Sequence, residues 1–127
     1  METKKKTYGY ELIMDMHGCD VSKFNRESLE DYFEKLCKAI DMKRSDLHFW
    51  DDVGLPPERH QTQAHTKGTS AVQFILTSSI VVHTLEILKA AYVNIFSCKG
   101  FDEKIAEKIT KEWFGANGCV SHFIERI

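Results

Sequence analysis

Gly68-Thr69-Ser70-Ala71-Val72-Gln73-Phe74-Ile75-Leu76-Thr77-Ser78-Ser79-Ile80-Val81-Val82-His83-Thr84 is the stretch on which the fold turns. Its β-branched and aromatic residues make Thr69 to Leu76 one strand and Ser79 to Leu85 the next. Only a few short polar residues separate the two runs, and Ser78-Ser79 suits a tight reversal. Strands joined so closely predict a hairpin.

Working outward, Ala90 to Ser97 reads as a further strand. Asp51 to Lys67 holds both prolines and many polar residues, which predicts a long loop. Before it, Leu47 to Trp50 is a short strand, and Tyr8 to Asp15 is a first strand ending at His17-Gly18-Cys19. Between those two, Leu29, Phe33, Leu36 and Ile40 recur at spacings of three and four, a helix face that Asn25 or Ser28 would cap. Asp102 is placed to cap a second helix with an apolar stripe of Ile105, Ala106, Ile109 and Trp113. Gly115 to Gly118 stops that helix, and Cys119 to Ile124 supplies a last strand.

A weak internal repeat results. One half runs strand, Gly18-Cys19-Asp20, helix, strand; the other runs strand, Ser97-Cys98-Lys99, helix, strand. The expected fold is α+β: a two-layer sandwich of an antiparallel sheet with helices on one face, built from two strand-helix-strand halves. At 127 residues the chain suggests one domain spanning 1–127.

Composition excludes several classes. Apolar residues make up 43% of the chain, ordinary for a packed protein, and the formal charge of −2 gives no nucleic-acid surface. Lys4 to Lys6 is a short basic tip that reads as a solvated terminus. No apolar run approaches the roughly 20 residues that span a bilayer, and the start carries no apolar signal region, so a cytoplasmic location is expected. Cys19, Cys37, Cys98 and Cys119 form no CxxC pair, which argues against a zinc ribbon and for free thiols, mostly in the core. His60 and His65 near Asp51 and Asp52 match no zinc spacing, so no metal is expected.

Three segments read together are more specific: Tyr10-Glu11-Leu12-Ile13-Met14-Asp15-Met16-His17-Gly18-Cys19; Gly68 to Val72 followed by Thr77 to Thr84; and Ala91-Tyr92-Val93-Asn94-Ile95-Phe96-Ser97-Cys98. In order and spacing they resemble the small prokaryotic-type S-adenosylmethionine decarboxylases from Tyr8 onward. The resemblance implies a proenzyme that makes a covalent pyruvoyl cofactor from Ser78. Its hydroxyl would attack the Thr77 carbonyl, and the chain would cleave itself between Thr77 and Ser78. His83 would remove the serine α-proton, Ser70 would assist, and Cys98 would later protonate the decarboxylated substrate. The family decarboxylates S-adenosylmethionine through a Schiff base, supplying aminopropyl groups for spermidine. It also implies dimers or larger homo-oligomers, with sites shared between subunits, and no membrane or nucleic-acid partner.

Each of these residues also has a plainer reading. A strand-end Cys98 is most often packing, His83 a sheet residue, and Ser78-Ser79 a turn. If Ser78 opens its strand, the period of two puts His83, five residues on, on the opposite face. A bulge at Ser78-Ser79 is then needed to bring them together.

The chain departs from the family where a pocket would lie. Thr77 stands where glutamate is common, Ser79 where histidine is, and Leu85-Glu86-Ile87-Leu88 where Trp-Pro and an acid are usual. Glu86 is the residue that would replace that acid in binding substrate. Tyr8, Tyr10, Phe24 and Trp50 are candidate faces for a sulfonium and an adenine ring. Three readings stay open: a divergent S-adenosylmethionine decarboxylase, a pyruvoyl decarboxylase of arginine or ornithine, and a non-processing paralogue that binds a ligand or a partner subunit.

Overall fold

The computed structural model describes residues 6–127, so Lys4 and Lys5 of the basic tip lie outside the described residues. Among the described residues six strands form one sheet: β1 (Gly9–His17), β2 (Arg44–Trp50), β3 (Ser70–Ile75), β4 (Ser78–Leu85), β5 (Ala90–Ser97) and β6 (Gly118–Arg126). Two α-helices accompany them, α1 (Arg26–Ala39) and α2 (Glu103–Phe114). The expected α+β sandwich is therefore present: each expected strand is found, Ala90–Ser97 with the ends expected and the others shifted by a few residues at one end or both.

The sheet order is β2-β3-β4-β5-β1-β6, and every neighbouring pair is antiparallel. Directions alternate along that order, so β1 runs parallel to β2 and β5 parallel to β6. Both strand-helix-strand units exist, and they interlock: β1 sits between β5 and β6.

The helices form where the chain can cap them. The Asn25 side chain accepts the Ser28 N–H at 2.9 Å. Asp102 accepts from the Lys104 and Ile105 N–H groups, and Gly115 closes α2 in the left-handed region at φ 60°. In α1 the expected stripe is buried, and Tyr32 and Cys37 widen it. In α2 the buried stripe is Ala106, Thr110 and Phe114, whereas Ile105 of the expected stripe is 43% exposed. The helix is turned because Thr110 can be satisfied inside: its hydroxyl donates to the Ala106 carbonyl at 2.7 Å and lies 2.7 Å from the Tyr32 hydroxyl. Phe114 packs against the Tyr32 and Phe24 rings. Hydrophobicity alone cannot show that a threonine will be buried when its hydroxyl has partners.

Both helices cover one face of the sheet. Leu12, Met14, Met16, Ala71, Ile80, Val82, Val93 and Ile95 point into that core. The alternate residues, among them Ile13, Val72, Val81, His83 and Tyr92, occupy the uncovered face. At the β2–β3 end the register shifts between Arg44 and Leu47. The fully buried Gln73 fills that irregularity, donating to the Ser45 and Asp46 carbonyls and accepting from Arg44 Nε at 2.8 Å.

The Tyr32–Thr110 pair supplies a test of this packing. Tyr32→Phe leaves Thr110 bonded to Ala106 and is expected to cost about 1 kcal/mol. Thr110→Val strands a buried phenol and is expected to cost about 2–3 kcal/mol. Urea unfolding with unchanged slope measures both; equal losses would contradict the arrangement.

Candidate active site

The β3–β4 hairpin turns on two residues, Leu76 and Thr77, because Ile75 pairs directly with Ser78. Thr77 has φ 52°. A β-branched residue in the left-handed region is strained by roughly 1–2 kcal/mol. The strain thus sits on the residue whose carbonyl joins it to Ser78. The Thr77 hydroxyl donates to the Leu76 carbonyl at 2.8 Å, and Leu76 is 84% exposed at the tip.

Ser78 opens β4 facing the helix layer and is buried. Its Oγ accepts the Cys98 N–H at 3.0 Å, so the residue just past β5 is tied to it. Cys98 Sγ lies 3.9 Å from the Leu76 carbonyl. A cleft of about 350 Å³ opens beside the pair, walled by the hairpin, by Cys98-Lys99 and by the turn at Asp41-Met42-Lys43. Lys99 Nζ donates to the Asp41 carbonyl at 2.6 Å and braces two of those walls.

The four thiols differ. The Thr77 and Ser78 hydroxyls hold Cys98 below its ordinary pKa against partial burial, and its own backbone and the Lys99 ammonium help. Burial pushes Cys37 up to about 11 and raises Cys19 and Cys119 as well. Half-buried Cys98 is therefore the thiol suited to chemistry.

The other two expected residues form a second pair. Ser70 and His83 are register partners across β3 and β4, and Ser70 Oγ and His83 Nδ1 share a 2.7 Å hydrogen bond. This pair stands on the uncovered face, with His83 exposed. The bulge needed to unite the two pairs is absent: β4 keeps unbroken register with β3 from Ser78 to His83 and with β5 from Ser79 to Leu85. Within one chain His83 lies on the opposite face from Ser78 and about 17 Å along the strand.

Glu86 is farther still. It follows the far end of β4, its backbone N–H donating to the Lys67 carbonyl, and lines a separate cleft of about 290 Å³. Asp51 there is bound by Arg26 through two 2.7 Å contacts, and Asp52 by Lys67 at 3.0 Å. Among the described residues no three His, Cys, Asp or Glu side chains converge to hold a metal ion. Of the aromatic candidates, Phe24 is core, Tyr8 stacks on Phe96 and Tyr10 on Phe123. Trp50 is 54% exposed and is the register partner of Ser70. The sequence reading missed Asp41, Met42 and Lys43 as cleft walls. Their only signal was position, just past a helix stripe ending at Ile40.

A two-layer α+β protein with a hydroxyl and a softened thiol meeting at a strained hairpin defines a hydroxyl–thiol site, with a histidine–serine pair elsewhere on the same sheet. The family model for S-adenosylmethionine decarboxylase matches residues 10–127, and the chain belongs to that family. The solved adenosylmethionine decarboxylase of Aquifex aeolicus VF5 has the same fold: TM-score 0.74 at 21% identity, over 96% of this chain and 92% of that one. No curated protein matches the chain.

If the thiols differ as described, limited iodoacetamide at neutral pH will label Cys98 ahead of the other three. Peptide mapping by mass reads the order, and prior labelling of Cys37 would refute it.

Proposed function

We propose that the chain is a self-processing, pyruvoyl-dependent S-adenosylmethionine decarboxylase acting as a homo-oligomer. It would yield the aminopropyl donor for spermidine. The observation that carries this reading is the Thr77–Ser78 peptide. It combines a left-handed threonine, a buried serine hydroxyl and the Cys98 N–H that fixes it. Family membership supports the same assignment.

Ser78 Oγ attacks the Thr77 carbonyl carbon, and the peptide becomes an ester with the Ser78 amine free. Loss of the α-proton expels Thr77 as a carboxylate that keeps the former Oγ. One water then replaces the nitrogen at position 78, releasing ammonia and leaving pyruvoyl. The hairpin fits this group, since the Cys98 N–H already points at the position-78 side chain. Once formed, the group supplies an electron sink for the pair left behind by carbon dioxide. The Cys98 thiol, on the same cleft, holds the proton that returns to the substrate.

His83 of the same chain cannot take the α-proton, because the unbroken ladder holds it away. A two-fold axis through the uncovered face near the middle of β4 would lay the His83 end of one copy over the Ser78 end of the other, twice. With Nδ1–H donating to Ser70, Nε2 would be left as the acceptor. Trp50, beside Ser70, would come with it and offer an aromatic face to a sulfonium.

Two measurements test this. The intact mass of denatured protein is expected to show two fragments meeting at 77/78 in the wild type and one chain in Ser78→Ala. A single stable species in both would leave a non-processing paralogue. Co-expressing Ser78→Ala with His83→Ala, each uncut alone, is expected to restore cleavage of the His83→Ala chain. No restoration would rule out a shared site.

A further inference from the structure

We propose that Arg26 is a positioning residue for the substrate: its guanidinium holds Trp50 in place by gripping the residues on either side of it. The inference rests on the decarboxylase reading above, in which Trp50 offers its ring to the sulfonium, and adds what fixes that ring.

Trp50 needs holding because of where it stands. It is the last residue of β2, an edge strand paired only with β3, and that pairing shifts register between Arg44 and Leu47. Its side chain lies exposed on the uncovered face. Its register partner is Ser70, whose Oγ shares the 2.7 Å hydrogen bond with His83 Nδ1. The ends of edge strands open more readily than the middle of a sheet. An aromatic ring binds best when it has little freedom left to lose.

One side chain at the start of α1 supplies the restraint. Arg26 Nε and Nη2 each donate to a different Asp51 carboxylate oxygen at 2.7 Å, and that carboxylate is only 5% exposed. The same guanidinium stands over the Phe49 ring, 5.6 Å from its centroid. Phe49 points away from Trp50 and packs against the core. Trp50 is thus the residue between two gripped neighbours. Asp51 Oδ1 also accepts the Val53 N–H at 3.0 Å, so the chain turns as soon as the clamp ends. Asp52 takes no part: it accepts from the Gln61 N–H and Lys67 Nζ and closes the long loop. A cation in the first turn of a helix is set against the helix dipole, so local preference does not account for arginine at position 26. A buried carboxylate that needs a forked donor does.

The test is a double-mutant cycle with two readouts on the full-length protein. A sulfonium carries the same charge before and after carbon dioxide leaves, so its aromatic contact acts on KM more than on kcat. Trp50→Ala is expected to raise KM for S-adenosylmethionine about tenfold. Arg26→Gln is expected to raise it about fivefold, with cleavage at 77/78 and kcat kept, and to add nothing once Trp50 is gone. Time-resolved anisotropy in a Trp113→Phe background, where Trp50 is the single tryptophan, is expected to show a freer ring in Arg26→Gln. Arg26→Lys keeps the charge but not the fork; it is expected to shift KM the same way by a smaller factor, and it carries the cycle if Arg26→Gln does not fold. Losses that multiply in the double variant, or a ring no freer than before, would overturn the inference while leaving the decarboxylase standing. Wild-type protein that releases no carbon dioxide from S-adenosylmethionine would overturn both, and that result is seen before any variant is made.

Discussion

The ladder of β4 between β3 and β5 governs the rest of the site. Eight consecutive residues alternate faces without a bulge, held on both sides by backbone hydrogen bonds. That regularity sends Ser78, Ile80, Val82 and Thr84 into the helix-covered core and leaves Ser79, Val81 and His83 outside. A slip of one residue would expose the core face, so burial itself fixes the register. The separation of the serine–cysteine pair from the histidine–serine pair follows from packing. Within one chain the four residues therefore do not share one site.

The turn that ends this ladder is tight for the same reason. Only two residues connect β3 to β4, and the second adopts a positive φ that glycine or asparagine would accept more readily than threonine. Local preference and sheet pairing conflict there, and the sheet wins. Sequences that depart from local preference tend to do so at working sites. Here the departure coincides with a buried hydroxyl and a thiol lowered by its neighbours.

Much of this was legible in the residues. Alternation and capping placed every strand and both helices, because Asn25, Asp102 and Gly115 announce helix ends through their own chemistry. The period of two already set Ser78 and His83 on opposite faces, but that Ser70 would bond His83 and Ser78 the Cys98 N–H was not read from the sequence. What could not be read was contact between distant segments. Nothing near Asp41 reveals that Lys99 will brace it, since 58 residues intervene. Glu86 was taken for the acid that the family usually carries after His83-Thr84, yet it lies past the far end of β4 from Ser78, and each strand residue adds about 3.3 Å. The rotation of α2 toward Thr110 depended on a phenol from the other helix.

Interlocking of the two units has a further meaning if the chain is cut after Thr77. Residues 6–77 contribute β1, α1, β2 and β3, and residues 78–127 contribute β4, β5, α2 and β6. Because β1 is inserted between β5 and β6, and β3 pairs with β4, the pieces share three ladders of one sheet. Severing the backbone leaves them knitted together, and neither piece retains a complete layer of its own. Reassembly after denaturation would become a bimolecular search where the precursor had only to close a loop. Maturation would then be a one-way passage, with persistence resting on slow unfolding more than on reversible folding.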